Sequence, residues 1–227
     1  MRAGQQMVDE HGNQVALFPL EYLYISQGEN GSYSHQGILA IDFLGWGANG
    51  RKLRCPYYAP CDCKVVYHDY YYNVWESLNP VVTPNGLQYI CFEVAHDDNP
   101  PPLNTVANQG DLIGHTGTNG HVTGDHVHLN TAYGHYQGFY TVSTGKRQLR
   151  NSSHIYNTLY VNDTVIRYGY GYTWKRFNGG NVPTHKKYKF KWVLYARKLR
   201  DKMSSWHFFL YMLMLIIERR YDYGKVN

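Results

Sequence analysis

Short apolar runs, many of them alternating with polar residues and cut by Gly, Pro and Asn, follow one another along the first two thirds of the chain. VALFPLEYLYI (15–25), GILAIDFLGW (37–46), CKVVYHDYYYNVW (63–75), LQYICFEVA (87–95) and HVHLN (126–130) each read as strand, because a period of two puts alternate side chains on one face of a sheet. NPVVTPNG (79–86) and DDNPPPLN (97–104) read as loops. Strands so short and so regularly spaced predict antiparallel sheet, not βαβ units. β-type segments continue through HIYNTLYV (154–161) and NDTVIRYGYGYTW (162–174) to the break FNGGNVP (177–183), so a first domain is expected over 1–180. No internal repeat is visible.

Beyond the break the pattern changes. KKYKFKWVLYARKLRDK (186–202) alternates lysines with Tyr188, Phe190 and Trp192, and MSSWHFFLYMLMLII (203–217) has no charged residue. As a helix that apolar run would span about 22 Å, short of the roughly 30 Å hydrocarbon core, and it carries His207 and two serines. Three readings stay open: a helix buried against the domain or another subunit, an interfacial segment helped by the flanking lysines, and a transmembrane anchor. The region 181–227 is therefore expected to be a basic and apolar tail, helical in its apolar part.

Composition sharpens this division. At 227 residues and 43% hydrophobic the chain can bury one good-sized core or a domain plus an appendage. Its 23 tyrosines against 8 phenylalanines suit half-buried strands and surfaces that face carbohydrate or peptide. The net charge of +5 sits in the tail, where eleven Lys/Arg face three Asp/Glu, against eleven and fourteen in 1–180. Such a tail could meet nucleic acid, an anionic membrane surface (through 186–217), a cell-wall polymer or an acidic protein, and charge alone does not choose. No nucleic-acid motif accompanies it, which makes nucleic acid the least favoured partner. The opening MRAGQQMVDEHGNQ lacks an apolar core of the secretory type, so no signal peptide is expected. Cys55, Cys61, Cys63 and Cys91 then read as reduced thiols, and CDC is too closely spaced for the usual structural zinc site.

Candidate chemistry gathers at His126 and His128. On a strand both imidazoles face one side, with Val127 turned the other way. Burying them without partners is costly, and a metal, or a reacting group beside one, would supply the partner. The bland alternative is a surface strand with two solvated histidines. Upstream, SHQGILAIDF (34–43) sets His35 in a glycine turn and Asp42 inside an apolar run, where a carboxylate is rarely unpaired. Two imidazoles and one carboxylate, with a fourth position left to water, form an open catalytic zinc set.

GENGSYSHQGILAIDF (28–43), APCDCKVV (59–66), QGDLIGHTGTNG (109–120) and TGDHVHLN (123–130) together resemble the lysostaphin-type zinc endopeptidases, peptidase family M23. Members of that family show a His, a following Asp, an "aP.dG.V" strand, a "G..IG..G.TG" stretch and a terminal H-x-H, in that order. The interval from His35 to Asp42 is seven where four is usual, which resembles the longer "sHkGt.AiDf" form of bacteriophage wall-degrading members and reads as a turn insertion.

The resemblance implies a mainly β, antiparallel two-layer fold with its core over about 16–135. It implies zinc held by His35, Asp42 and His128, with His126 as a catalytic imidazole. It also points to His96, in FEVAHDD, as a second catalytic histidine, although the flanking tyrosine and leucine of the family's motif are replaced by Val94 and Asp97. His115 and His121 read as wall or rim residues, His68 and His135 have no motif support, and Tyr24 and Tyr33 lie near the expected metal without a secure alignment. The implied activity is cleavage of cross-link or stem peptides of bacterial peptidoglycan. Without a signal peptide, the expected setting is a bacteriophage particle, with tail proteins as partners and the host cytoplasm before release. A lysin acting at host lysis and a non-catalytic tail or wall-binding relative are the alternatives.

Overall fold

The structure, a computed structural model, describes residues 1–161 and 164–168. The expected boundary near residue 180, the basic-aromatic stretch 186–202 and the apolar run 203–217 lie outside the described residues. Nearly all regular structure is β. The main sheet runs, in spatial order, Val106–Ala107, Cys63–Asp69, Tyr72–Ser77, Ile90–Ala95, Val127–Tyr133, Ile41–Phe43, Tyr22–Gln27 and Val165–Tyr168, with Ser152–Ser153 also paired to Val127–Tyr133. Every pairing is antiparallel except that of Tyr22–Gln27 with Val165–Tyr168. Among the described residues no helix is long and apolar enough to cross a membrane.

Alternation sorts the side chains as the sequence pattern requires. Leu23, Ile25, Ile41, Phe43, Val65, Trp75, Phe92, Val94, Val127 and Leu129 project from one face into the main core. A second layer closes that core with Phe18, Cys55, Ala59 and Cys61, and with Tyr57 and Ile113 from the small sheet Pro56–Tyr58/Leu112–His115. The four cysteines are buried free thiols. Trp75 is fully buried and stacks on Phe92 with ring centroids 6.4 Å apart. Trp75→Ala is expected to remove about 3–5 kcal/mol of unfolding free energy, read from a urea melt. Trp75→Phe should cost less, since the indole Nε1 has no hydrogen-bond partner to lose.

Three segments differ from the sequence reading. CKVVYHDYYYNVW is a hairpin, Cys63–Asp69 with Tyr72–Ser77, turning at Tyr70 and Tyr71 with no Gly or Pro. The Asp69 carboxylate supplies the turn by accepting the Tyr70 N–H at 2.6 Å. The expected loop 79–86 contains most of a hairpin, Val81–Thr83 with Gly86–Gln88, where Gly86 takes a φ of 109° open to glycine. HIYNTLYV, expected as strand, instead holds the helical turn Ile155–Thr158. The reason is spacing: Ile155, Thr158 and Leu159 are all buried, and residues three apart share a face on a helix but point to opposite faces on a strand.

The other face of the main sheet carries the polar side chains of interest. It is partly covered by the hairpin Phe139–Thr141/Arg147–Leu149. The Arg147 guanidinium lies between the rings of Tyr72 and Phe139, at 4.3 and 4.2 Å. At the hairpin's tip the Thr144 hydroxyl donates to the Gln36 carbonyl, so the hairpin braces the turn that holds His35.

Candidate metal centre

Asp42 and His128 are direct cross-strand neighbours in the register of Ile41–Phe43 with Val127–Tyr133. Their own neighbours, Ile41, Phe43, Val127 and Leu129, point into the core, which forces the carboxylate and the imidazole to the opposite face. His35 arrives from the turn between strands, where its N–H donates to the Gly31 carbonyl and Gly37 adopts a φ of 82°. The three residues bring one ligand atom each within 4.8 Å of one another. His128 Nδ1 lies 3.0 Å from Asp42 Oδ1, His35 Nε2 lies 3.2 Å from the same oxygen, and the two nitrogens are 3.1 Å apart.

The donor set fits a divalent cation. His35 Nδ1 donates to the Gly28 carbonyl at 3.1 Å, which fixes its proton there and turns the Nε2 lone pair inward. Two acceptors, that lone pair and Asp42 Oδ1, therefore face each other, with only the His128 proton between them. A tetrahedral zinc with bonds near 2.1 Å spaces its ligand atoms about 3.4 Å apart, close to the triangle observed. Gln27 Nε2 donates to Asp42 Oδ2 at 2.8 Å, leaving Oδ1 to the histidines, and Gln27 Oε1 accepts the Ser34 N–H at 3.0 Å. One carboxamide thus positions both the acid and the His35 turn.

Burial favours the neutral form of Asp42, but the His128 N–H and the nearness of both imidazoles outweigh it and hold the carboxyl far below the usual range. Burial lowers His35 despite the nearness of the Asp42 carboxylate. For His128 burial is overcome by the bond to Asp42, and the net shift is upward.

His96 and His126 flank this triangle. His96 follows the last residue of Ile90–Ala95 with a φ of 80°, a left-handed conformation unusual for a side-chain-bearing residue. Its Nδ1 donates to the Asn119 carbonyl at 2.8 Å, and that of His126 to the Gly124 carbonyl at 2.7 Å. Each ring then carries its lone pair on Nε2. The rings are 4.6 Å apart, and His126 Nε2 is 3.7 Å from Asp42 Oδ1. Burial, then the charge of His128, pushes His96 down to about 4.

That shift has a stability consequence. The unfolded chain protonates this imidazole near pH 6.5 and the fold only near 4, so acid favours unfolding between those values. His35, which burial also lowers, adds a loss of the same sign. With chelator present, His96 is expected to account for up to about 3 kcal/mol of the stability lost between pH 6.5 and 4, and His96→Gln to flatten the melting profile in part.

Asp42, His96, His126 and His128 border a cleft of about 980 Å³ whose walls include 31–34 and 121–125, while His35 is buried. His121 and Tyr33 line it. His115 lies on the adjacent strand Leu112–His115, His68 bonds Asn73, His135 bonds Glu76, and Tyr24 stacks on Trp46. Sequence reasoning missed Gln27, the orienting carbonyls of Gly28, Asn119 and Gly124, and Asp125. The buried Asp125 carboxylate accepts from the Thr116 hydroxyl at 2.6 Å and the Arg54 N–H at 2.9 Å, fixing the loop just before His126. No local pattern marks these partners.

No family model matches the chain. It is 41% identical over 172 residues to Morphogenesis protein 1 of Bacillus phage B103, an alignment covering 72% of this chain and 45% of that protein, so the chain spans under half the length of this relative. Among solved structures it is similar to a zinc containing peptidase from Vibrio cholerae, at 19% identity over 56% of this chain and 43% of that one, with a TM-score of 0.37. It is also similar to the catalytic domain of the antimicrobial peptidase lysostaphin from Staphylococcus simulans, at 17% identity over 51% and 80% of the two chains, with a TM-score of 0.33.

Proposed function

We propose that this chain is a zinc-dependent endopeptidase that cuts cross-link or stem peptides of bacterial peptidoglycan, acting from a bacteriophage particle at infection. The observation that carries the reading is the convergence of His35 Nε2, Asp42 Oδ1 and His128 Nδ1 in a triangle of 3.0–3.2 Å, beside two further imidazoles at an open cleft. The peptide substrate class rests on the M23-type motifs of the sequence. The phage setting is supported by a relative named for morphogenesis, which favours a particle component over a lysin released at lysis. Tail proteins are the partners such a setting implies.

In this reading His35, Asp42 and His128 hold the ion. Zinc, when bound, supplies Lewis acidity toward a carbonyl oxygen and acidifies a water. His96 and His126 move protons. Both present Nε2 toward the centre because backbone carbonyls retain their Nδ1 protons. One accepts the proton of the attacking water, and the other donates to the oxyanion or the leaving amine. The cleft between 31–34 and 121–125 receives the peptide in extended form.

Mass spectrometry of digested peptidoglycan, run with metal analysis of the protein, tests this. The expected result is one new amino terminus in the released peptides and one zinc per chain, with both lost on chelation and regained on adding zinc. Intact peptides after digestion with the zinc-loaded protein would overturn it.

A further inference from the structure

The residue after His96 is not what the M23-type motif carries there. Asp97 replaces a leucine, and its carboxylate is 3% exposed. A buried carboxylate needs partners, and Asp97 has three. Its Oδ2 accepts the His115 N–H at 2.7 Å, its Oδ1 accepts the Asn99 N–H at 3.0 Å, and the hydroxyl of the buried Tyr57 donates to it. Tyr57 and His115 belong to the small sheet Pro56–Tyr58/Leu112–His115 of the second layer. His96 and Asp97 follow directly on a strand of the main sheet. The carboxylate therefore ties the end of one layer to the other, one residue from the imidazole.

The contact is built closely. A Cβ at Gly114 would lie 2.3 Å from the Tyr57 hydroxyl and 2.5 Å from Asp97 Oδ2, so only glycine lets the strand pass the pair. A Cβ at Gly117 would lie 2.1 Å from the His96 carbonyl. That carbonyl accepts the Asn119 N–H at 3.2 Å, and Asn119 Nδ2 donates to the Asp97 carbonyl at 3.3 Å. His96 is held in a left-handed conformation, which persists only where surrounding contacts over-determine it.

We propose that the buried Asp97–Tyr57 pair is a positioning device for His96, fixing the strained turn that aims its Nε2 into the cleft. The inference rests on the catalytic reading of His96 given above. Asp97 acts through the backbone, since its carboxylate bonds N–H groups and Tyr57 and makes no bond to the imidazole.

The test uses the full chain with Asp97→Ala, Asp97→Asn and Tyr57→Phe, each followed by nitrogen-15 NMR of the His96 ring with and without zinc, by zinc content, and by separate kcat and KM. Asp97→Ala is expected to convert a single, slowly exchanging Nδ1–H tautomer into an averaged one. It should lower kcat about 10- to 100-fold, with KM and zinc content unchanged. Tyr57→Phe keeps the packing and loses one hydrogen bond, so a kcat loss of about 3- to 10-fold is expected. If the alanine variant does not fold, this variant and Asp97→Asn decide. Leu17→Ala, in a separate core cluster, controls for general destabilisation and should leave the His96 signals unchanged. Unaltered His96 resonances in the folded Asp97 and Tyr57 variants would overturn the proposal. An inactive wild-type protein would count against the hydrolase reading alone, because the ring spectrum needs neither substrate nor metal.

Discussion

His128→Ala is expected to abolish zinc retention and to lower peptidoglycan hydrolysis by about 10³-fold or more, the kinetic equivalent of several kcal/mol of Lewis-acid stabilisation. The variant removes one corner of the triangle, and it also strips Asp42 of the strongest bond holding its carboxylate ionised. The Asp42 carboxyl should therefore titrate at higher pH in the variant than in the wild type, a change visible by carbon-13 NMR of the chelated protein. Asp42→Asn keeps the shape of the site and removes its only negative ligand, so it should lose zinc equally. A variant that keeps full activity after metal removal would sink the metal assignment.

His96→Ala and His126→Ala are expected to separate chemistry from metal binding. Neither ring belongs to the triangle, so zinc content should stay near one per chain while kcat falls about 10²- to 10⁴-fold. The two losses should not add in the double variant if the rings share one proton-transfer sequence. Loss of zinc from either single variant, in parallel with activity, would instead make that histidine a ligand. The acid limb of the wild-type rate profile should lie well below pH 6.5, because burial keeps His96 neutral down to about 4.

Much of this was legible in the sequence, for identifiable reasons. Alternation around Val127 put His126 and His128 on one face, since a strand has only two. The convergence of His35, Asp42, His96, His126 and His128 was implied only by the resemblance of the motifs to M23-type sequences. Local turn chemistry was harder. The Tyr70–Tyr71 turn has no Gly or Pro, and the helical turn at Ile155 is too short for periodicity to separate it from a strand. Partners that act across long sequence distances left no trace at all. Gln27 reaches Asp42 and Tyr57 reaches Asp97 because the fold brings their strands together, and neither spacing is readable from one chain.

The placement of Val127 has an engineering consequence. Its side chain is committed to the main core while the imidazoles on either side of it are committed to the cleft. A one-residue slip of Val127–Tyr133 against its neighbours would swap these assignments, driving valine toward solvent and histidine into oil. The histidine stripe therefore has a parity: grafts and length changes there can succeed only in steps of two. Selection for a sound interior and selection for a working centre then act on the same register, and neither can drift without the other.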